Sequence, residues 1–464
     1  MRETWGSCYQ GASIVRLVII GAGEVGYHIA SHLSRERHDI VVVDQSHELV
    51  ERLQEELDVL AYQGHGADPA TLERAGLAQA EMLIAVTNSD EVNLVACLLA
   101  RHYGVSKRIA RLNTPDFRDS PLAEVGTSIG IDLLINPSQA VAEEIWQLIK
   151  TPGAEEAANF LDGRVKLLSF RVPAVAPIVR QRLQDFAAHF DTLPFLIVAI
   201  QRDRETLIPT GDTVIEPHDH LLVIGKDELI QQHLHWLGIA SRPTRKVLII
   251  GGGRVGFHVA QRLEQDETDY QVKILEKTPQ RCQFLASRLP RTLVLHSDAT
   301  DVKVLKEEGI ADMDAVIVVT NDEGTNLIAA LLAKTHGAHG VITLIQRPDL
   351  VPLVAALGID AAISPRLLTA GAILRYLRRG QAVSGFTSLH TAAETLEMAA
   401  APQAKIVGKP LRKVKLPTGV ILGAVAHGSE IIIPGGDTII QPDDRVIVFA
   451  LPPVVAQAER LFVG

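Results

Sequence analysis

Two glycine-rich segments of the sequence have the spacing of a phosphate-binding loop. Glycines at positions 21, 23 and 26 follow the apolar run 16–20, and glycines at 251, 253 and 256 follow the apolar run 247–250. In this pattern the first glycine permits a tight turn, the second lets the backbone approach a pyrophosphate, and the third lets a helix pack closely on the strand. The helix that begins there directs free N–H groups at the phosphates. The sequence therefore predicts two nucleotide-binding loops.

An acidic residue lies where each loop would need a partner for a ribose. Asp44 ends the next apolar run, 18 residues after Gly26, and Glu276 ends the corresponding run, 20 residues after Gly256. A carboxylate at this spacing accepts hydrogen bonds from the ribose hydroxyls and repels a 2′-phosphate. NAD or a plain adenine nucleotide is therefore expected rather than NADP. The alternative, in which the glycines only form turns and the acids only cap strands, is disfavoured because strand, loop, helix and acid occur together twice.

Weaker candidates follow from the rule that ligands of an open parallel sheet bind beyond the carboxyl ends of its strands. The fourth apolar runs of the two halves end in Thr87-Asn88 and Thr320-Asn321, and the third run of the second half leads to Asp298. Their hydroxyl, amide and carboxylate groups suit a nucleotide. Ser, Thr, Asn and Asp are also the usual helix caps, so both interpretations stay open for these residues.

A dinucleotide site is also typical of dehydrogenases, which need a group for proton transfer. Tyr103 and Lys107 have the spacing of the short-chain dehydrogenases, but Gly104 is expected to end the helix between them. The sequence has no motif for NTP hydrolysis, for a serine nucleophile or for zinc, and no metal site is predicted. We therefore expect a binding protein rather than an enzyme. The alternative is an NAD-dependent dehydrogenase with one degenerate half.

The loops occur twice because the chain contains two copies of a unit that is about half of its length. After each loop come a Thr-Asn pair and, late in each half, the matching segments 209–213 and 434–438. Short apolar runs alternate with helical periodicity, which indicates a parallel sheet covered on both faces. Shorter strand and turn patterns then follow. The strands predicted for the first half are 15–20, 40–43, 59–62, 82–87, 108–112 and 133–135, and then 165–172, 196–200, 206–207 and 220–224.

The predicted fold class is α/β: two tandem Rossmann-type parallel-sheet domains, each followed by a small α+β subdomain. A helix at 367–379 is expected to link the two parts of the second half. Residues 1–14 are expected either to form a short disordered extension or to precede a translation start near Val15. The expected ranges are 1–14 for this extension, 15–150 and 245–380 for the Rossmann domains, and 151–241 and 381–464 for the small subdomains.

Composition narrows the class of partner. The 464 residues include 45 basic and 55 acidic side chains, and the net charge of −10 opposes binding to nucleic acid or to anionic lipid. Three well-separated cysteines form no disulfide or zinc pattern, which fits a reducing cytoplasm. Charges and glycines interrupt the apolar stretches before they could cross a membrane. Any role at a membrane is therefore expected to act through a partner.

Together these features resemble the TrkA family of potassium-uptake regulatory proteins, whose members carry two tandem RCK domains, which regulate potassium conductance. The resemblance covers nearly the whole chain from about residue 15. It rests on the two glycine segments with their acids, the two Thr-Asn pairs and the segment 110–112. The late segments 208–212 and 433–437 resemble the small C-terminal subdomain of the family.

The resemblance implies a cytoplasmic regulatory subunit that docks on an integral-membrane potassium transporter at the inner face of the plasma membrane. It implies NAD(H) or ATP/ADP as ligands, and a tetrameric ring that gates the transporter by rearranging when a ligand binds. Arg111 would hold ligand phosphates, whereas the second half has Leu344, for which Arg254 is a candidate substitute. The residues expected to bind the nucleotide are Gly21, Ala22, Gly23, Glu24, Val25, Gly26, Asp44, Thr87, Asn88 and Arg111 in the first half, and Gly251, Gly252, Gly253, Arg254, Val255, Gly256, Glu276, Asp298, Thr320 and Asn321 in the second.

Overall fold

The computed structural model describes residues 15–35, 38–113, 129–190, 193–203, 205–239, 243–377, 384–387 and 393–463. The predicted N-terminal extension lies outside these residues. The chain forms two compact units: one extends to Pro137 and includes Arg366–Leu374, and the other comprises Ser138–Pro365 and the chain from Arg375. None of the helices described is both long enough and apolar enough to cross a membrane.

The first unit is built on six parallel strands in the order β3-β2-β1-β4-β5-β6. This order sets β1 beside β4 at the point where the connections change direction, which is where such sheets bind ligands. The central strands read as continuous apolar runs because both of their faces are buried; Val41, Val42 and Val43 have no exposed surface. The elements are β1 (Arg16–Ile20), α1 (Glu24–Arg35), β2 (Asp39–Asp44), α2 (His47–Glu56), β3 (Leu60–Gln63), α3 (Pro69–Arg74), β4 (Met82–Ala85), α4 (Asp90–His102), β5 (Lys107–Arg111) and β6 (Leu133–Ile135).

The second unit begins with a helix and a small antiparallel sheet in the order β10-β9-β11-β8-β7. Strand β7 was not predicted, because its sequence, EAANF, contains no β-branched residue. The elements are α5 (Pro137–Lys150), β7 (Glu156–Phe160), β8 (Val165–Arg171), α6 (Leu183–Ala187), β9 (Phe195–Arg202), β10 (Glu205–Leu207), β11 (His220–Lys226) and α7 (Asp227–His233).

A second parallel sheet repeats the topology of the first, in the order β14-β13-β12-β15-β16-β17. The helix that begins at Glu323 has a side-chain cap, in which the Asp322 carboxylate accepts a hydrogen bond from the N–H of Thr325 (2.6 Å). The elements are β12 (Lys246–Ile250), α8 (Arg254–Glu264), β13 (Gln271–Glu276), α9 (Pro279–Arg288), β14 (Leu293–His296), α10 (Val302–Glu307), β15 (Ala315–Val318), α11 (Glu323–Thr335), β16 (Gly340–Leu344), α12 (Val351–Ala356) and β17 (Ala361–Ile363).

A linking helix and a second small antiparallel sheet complete the described chain. The linking helix is α13 (Pro365–Leu377), close to the predicted 367–379. The sheet order is β18-β19-β22-β20-β21, and its middle three strands are the long, buried ones. The elements are β18 (Ser384–Thr387), β19 (Glu394–Ala399), β20 (Val420–His427), β21 (Glu430–Ile432), β22 (Arg445–Ala450) and α14 (Val455–Glu459).

Helix α5 follows the last strand of the first parallel sheet but packs on the second Rossmann domain. The Trp146 indole N–H donates to the Asp266 carboxylate (2.8 Å), just beyond α8. The guanidinium of Arg262, on α8, lies 3.7 Å from the centre of the Trp146 ring, and Lys150 pairs with Asp266 at 3.7 Å. The Lys150 ammonium also lies 4.6 Å from the centre of the Trp146 ring, so both cations give this contact electrostatic attraction in addition to its apolar area.

The two small sheets share one hydrophobic core. Phe160 and Ile224 of the first sheet pack in a single cluster with Phe449 of the second. Beside this core, Arg445 donates to the buried carboxylate of Glu397 (2.5 Å) and to Asp162 of the first small subdomain (2.5 Å). A buried carboxylate therefore lies beside the shared core, and Arg445 neutralises its charge.

The predicted fold class is confirmed: two Rossmann-type parallel sheets alternate with two small α+β subdomains. The strands predicted for the first half are all present, with ends displaced by two residues at most. For the first small subdomain the sequence also predicts a helix near 179–189, and the helix observed there is shorter, at Leu183–Ala187. The domain ranges given above remain predictions.

We expect Arg445→Ala to lower the free energy of unfolding of the second unit by about 2 kcal/mol, because it leaves the buried Glu397 carboxylate without its counter-ion. Urea unfolding measures this change. Arg412→Ala is the matched control, since Arg412 pairs with Asp437 where both side chains are mostly exposed, and its effect should be about 0.5 kcal/mol or less. Equal effects of the two substitutions would contradict the assignment.

Candidate nucleotide-binding sites

The first glycine loop leaves β1 as a tight turn against its neighbours. The N–H of Gly21 donates to the carbonyl of Val43 on β2 (2.9 Å), and Gly21 has a φ of +107°, which side-chain-bearing residues rarely adopt. A Cβ on Gly26 would lie 1.8 Å from the Gly21 oxygen, so only glycine allows α1 to begin here. The second loop repeats this geometry: Gly251 has a φ of +104°, and a Cβ on Gly256 would lie 2.0 Å from the Gly251 oxygen.

The middle glycine of each loop differs from the first and third, because packing against the surrounding protein does not exclude a side chain there. A Cβ on Gly23 would meet no described atom within 4 Å, and a Cβ on Gly253 would meet only the side-chain oxygen of Asn321, at 3.9 Å. A side chain would therefore fit the fold but would project into the open space in front of the loop. A pyrophosphate held by the backbone needs that space. The residues present thus fit a bound nucleotide at this position.

Each predicted acid lies against its loop. The Asp44 carboxylate accepts hydrogen bonds from the N–H groups of Ala22 (2.6 Å) and Ser46 (2.9 Å). The Glu276 carboxylate accepts the corresponding pair of hydrogen bonds, from the N–H groups of Gly252 (2.9 Å) and Thr278 (2.8 Å). A carboxylate offers about four acceptor positions. Each acid is therefore held in place and retains capacity for a ribose.

A buried asparagine ties the ends of β4 and β5 together beside the first loop. Asn93 has no exposed surface. Its Oδ1 accepts from the N–H (3.0 Å) and hydroxyl (2.7 Å) of Thr87, and its Nδ2 donates to the carbonyls of Thr87 (3.1 Å) and Arg111 (2.8 Å). Ser89 caps α4, so Thr87 and Asn88 precede the cap. The polar groups of Thr87 serve this network, whereas Asn88 is exposed.

The second half contains the same network around Asn326. Its Oδ1 accepts from the N–H (2.9 Å) and hydroxyl (2.6 Å) of Thr320, and its Nδ2 donates to the carbonyls of Thr320 (3.2 Å) and Leu344 (3.1 Å). Sequence reasoning missed both asparagines, although each follows its threonine by six positions in a repeated segment. The repeat was the available signal, because a polar residue on the apolar face of a helix needs a partner.

Charge differs between the halves at the end of the fifth strand. The Arg111 guanidinium lies 3.4 Å from the side-chain oxygen of Asn88 and 3.4 Å from that of Asn113. Leu344 occupies the matching position, since Asn326 bonds to its carbonyl, and it is buried. Only the first half therefore has a cation at this point of the sheet edge.

Three other predicted residues, two at the loops and one beyond β14, have less definite roles. Glu24, at the start of α1, lies 3.8 Å from the guanidinium of Arg52, whereas Arg254, at the start of α8, is exposed. Asp298 accepts hydrogen bonds from the N–H (2.9 Å) and hydroxyl (2.8 Å) of Thr300, which lower the pKa of its carboxyl below the ordinary value. Asp298 thus stabilises its own turn, and its contact with a nucleotide remains a prediction.

One cation at the second loop was not predicted. Arg281, in the first turn of α9, donates from Nε to the carbonyl of Gly252 (2.6 Å) and from Nη2 to the carbonyl of Gly253 (3.1 Å). Its guanidinium lies 4.5 Å from the centre of the Phe284 ring. Partial burial lowers the pKa of Arg281 from its ordinary value. Counting from the acid, the first half has Leu49 at this position, and leucine cannot make these hydrogen bonds.

Tyr103 and Lys107 are separated as the sequence predicted. The Tyr103 hydroxyl donates to Glu73 (2.6 Å) just beyond the end of α4, and Lys107 begins β5. Gly104, between them, has a φ of +80°. Among the residues that the structure describes, no three or more His, Cys, Asp or Glu side chains are grouped so as to hold a metal ion.

The repeated glycine loop, acid and sheet order define a protein with two tandem Rossmann-type domains, each paired with a small antiparallel subdomain. The TrkA-N domain family matches residues 17–137 and 247–365, and the TrkA-C domain family matches residues 167–238 and 396–463. The chain therefore belongs to the TrkA family, which confirms the resemblance found in the sequence.

Two relatives illustrate the extent of the match. The chain is 38% identical, over 97% of its length and 100% of the relative, to Trk system potassium uptake protein TrkA homolog 1 of Methanosarcina mazei. It is 37% identical, over 97% of its length and 98% of the relative, to Trk system potassium uptake protein TrkA of Halomonas elongata. The family match therefore spans both halves of the chain.

Solved structures share the tandem architecture. The GsuK RCK domain aligns with a TM-score of 0.61 and 19% identity, covering 97% of this chain and 96% of that one. The GsuK channel bound to NAD aligns with a TM-score of 0.60 and 19% identity, covering 97% of this chain and 80% of that one. At this level of identity the likeness establishes the fold, and it confirms the predicted tandem RCK arrangement.

We expect Asn93→Ala to lower the free energy of unfolding of the first unit by about 2 kcal/mol, because the partly buried N–H and carbonyl groups of Thr87 and the carbonyl of Arg111 lose their partner. Asn88→Ala is the control, since Asn88 is exposed five positions earlier, and it should change stability by less than about 0.5 kcal/mol. Urea unfolding of the two variants makes the comparison. A stable Asn93→Ala chain would show that this network is dispensable.

Proposed function

We propose that this chain is a cytoplasmic, nucleotide-binding regulatory subunit that gates a membrane potassium transporter. The observation that carries the proposal is the pair of loops whose middle glycines, Gly23 and Gly253, face open space rather than protein. The names of the relatives, which are potassium uptake proteins, supply the physiological context. The proposed ligands are NAD(H) or ATP/ADP, and GsuK structures bound to NAD and to ADP support this choice of chemistry.

In the proposed binding mode the backbone holds the phosphates. The N–H groups at the starts of α1 and α8 have no partner within their own helices, and they lie at the positive ends of the helix dipoles. Asp44 and Glu276 would accept hydrogen bonds from the ribose hydroxyls, using the carboxylate lone pairs that the loop N–H groups do not occupy. Arg111 would neutralise phosphate charge in the first half. Binding in this mode requires no proton transfer, as suits a sensor.

The proposed gating follows from how the halves are connected. A ligand shifts the balance between two arrangements only if it binds them with different affinities. Helix α5 continues directly from the first parallel sheet, and Trp146 on this helix contacts the second Rossmann domain through Arg262 and Asp266. The proposed gating requires that ligand binding at the first loop alters this contact. In the proposed assembly, four chains form the ring that docks on the transporter.

Alanine at the middle glycine separates ligand binding from folding. We expect Gly23→Ala and Gly253→Ala to fold normally, since the added Cβ meets open space, and each to weaken binding at its own loop by roughly tenfold or more because the methyl group occupies the phosphate position. Gly26→Ala is the control with the opposite expectation. Its Cβ would collide with a backbone oxygen, so stability should fall. Calorimetric titration with ADP and thermal unfolding measure the two effects.

The experiment that tests the function is a titration of the whole chain with NADH, in which binding and nicotinamide absorbance are followed together. We expect saturable binding without loss of absorbance, competition by ATP and ADP, and roughly tenfold weaker binding after Asp44→Ala or Glu276→Ala, which remove the ribose acceptors. Asp39→Ala, at the opposite end of β2, is the matched control and should bind as the unaltered chain does. Steady oxidation of NADH by pure protein would instead support a dehydrogenase, and unaltered affinity in both acid variants would refute the site.

A further inference from the structure

An arginine binds the carbonyl groups of the second loop, and the first loop lacks this cation. Arg281 reaches from α9 to two consecutive carbonyls, with Nε 2.6 Å from the Gly252 oxygen and Nη2 3.1 Å from the Gly253 oxygen. Phe284, one turn later on the same helix, packs against the guanidinium at 4.5 Å, and Phe257 lies 5.9 Å away. The guanidinium is thus fixed by two hydrogen bonds and an aromatic contact rather than extended into solvent.

The two carbonyls belong to peptide units whose N–H groups face the other way. The carbonyl of Gly252 shares a peptide unit with the N–H of Gly253, and the carbonyl of Gly253 shares one with the N–H of Arg254. Gly253 is the N-cap of α8, so these N–H groups stand at the helix end, where anions bind. A cation bound to a carbonyl polarises its peptide unit and strengthens the N–H as a donor.

Each half therefore has an arginine at its own candidate nucleotide site, but the two arginines occupy positions that do not correspond. In the first half Arg111 lies beside Asn88 at the end of β5, and Leu49 stands where α9 carries Arg281. In the second half Leu344 replaces Arg111 and is buried, while Arg281 lies behind the loop. Each half has one of these two cations.

We propose that Arg281 is a positioning residue of the second nucleotide site, which orients and polarises the loop N–H groups and so compensates for Leu344. The inference rests on the proposed function, because it concerns a nucleotide at this loop. It assigns the compensating role to Arg281 rather than to Arg254, which is exposed at the start of α8. The first site then attracts phosphates through the Arg111 side chain. The second site attracts them through backbone N–H groups that the Arg281 cation has polarised.

The test uses the whole chain carrying Gly23→Ala, so that a calorimetric titration with ADP reports the second site. We expect Arg281→Leu, which copies the first half, to weaken ADP binding by roughly five- to tenfold and to reduce its dependence on salt concentration. Arg281→Lys keeps the charge and should recover part of the affinity and of the salt dependence, whereas Arg281→Gln should recover neither. Arg288→Ala, an arginine on the same helix that is further from Phe284 (5.9 Å), is the matched control. It should bind ADP as the parent chain does.

The outcomes distinguish this inference from the proposed function. Unchanged affinity in Arg281→Leu, or equal losses in the Leu and Lys variants with unaltered salt dependence, would overturn the role of Arg281 while leaving nucleotide binding intact. A loss in Arg254→Ala that exceeds the loss in Arg281→Leu would assign the compensation to Arg254 and overturn it as well. If Arg281→Leu does not fold, the comparison of Lys with Gln decides, and equal affinities refute the proposal. Failure of the unaltered chain to bind either ADP or NADH would refute the proposed function itself.

Discussion

Both candidate sites depend on one backbone constraint, the contact between the first and third glycines of each loop. A Cβ on Gly26 would lie 1.8 Å from the Gly21 oxygen, and the second loop is equally close. This approach lets α1 and α8 begin directly over the ends of β1 and β12, so that their free N–H groups converge beyond the sheet. The acids and the Thr-Asn networks surround that point. Without the close approach they would have no common ligand position to serve.

The two halves share the side chains that bind backbone groups at each candidate site. They differ in the charged side chains beside it. Each acid bridges two N–H groups, and each buried asparagine ties two strand ends, with distances that differ by about 0.3 Å or less between the halves. In contrast, Arg111 corresponds to Leu344, and Leu49 corresponds to Arg281. A change in the backbone network costs stability because it leaves buried polar groups unpaired. A change in charge at the rim leaves those groups paired, and in the proposed function it would alter the affinity for the nucleotide.

Two structural links make the second half more than a copy of the first. Trp146 places α5, the continuation of the first parallel sheet, against α8 of the second Rossmann domain. The small subdomains share one core, beside which Arg445 neutralises a buried carboxylate. Packed elements of this kind move as bodies, because their interiors deform little. The proposed regulation requires such bodies, since a small change at a loop must be carried across the chain.

The sequence by itself determined the repeat, the α/β class, every strand of the first half except β7, both glycine loops and both acids. These features are local, because each depends on the periodicity or spacing of residues along one segment. Only the tertiary structure decided that Asn93 and Asn326 join neighbouring strands, that Arg281 lies behind the second loop and that α5 packs on α8. These contacts join residues that are distant in the chain, and their side chains meet only after the sheets and helices have packed. No local pattern encodes such a meeting, which is why the contact of Arg281 with the second loop appeared only in the folded chain.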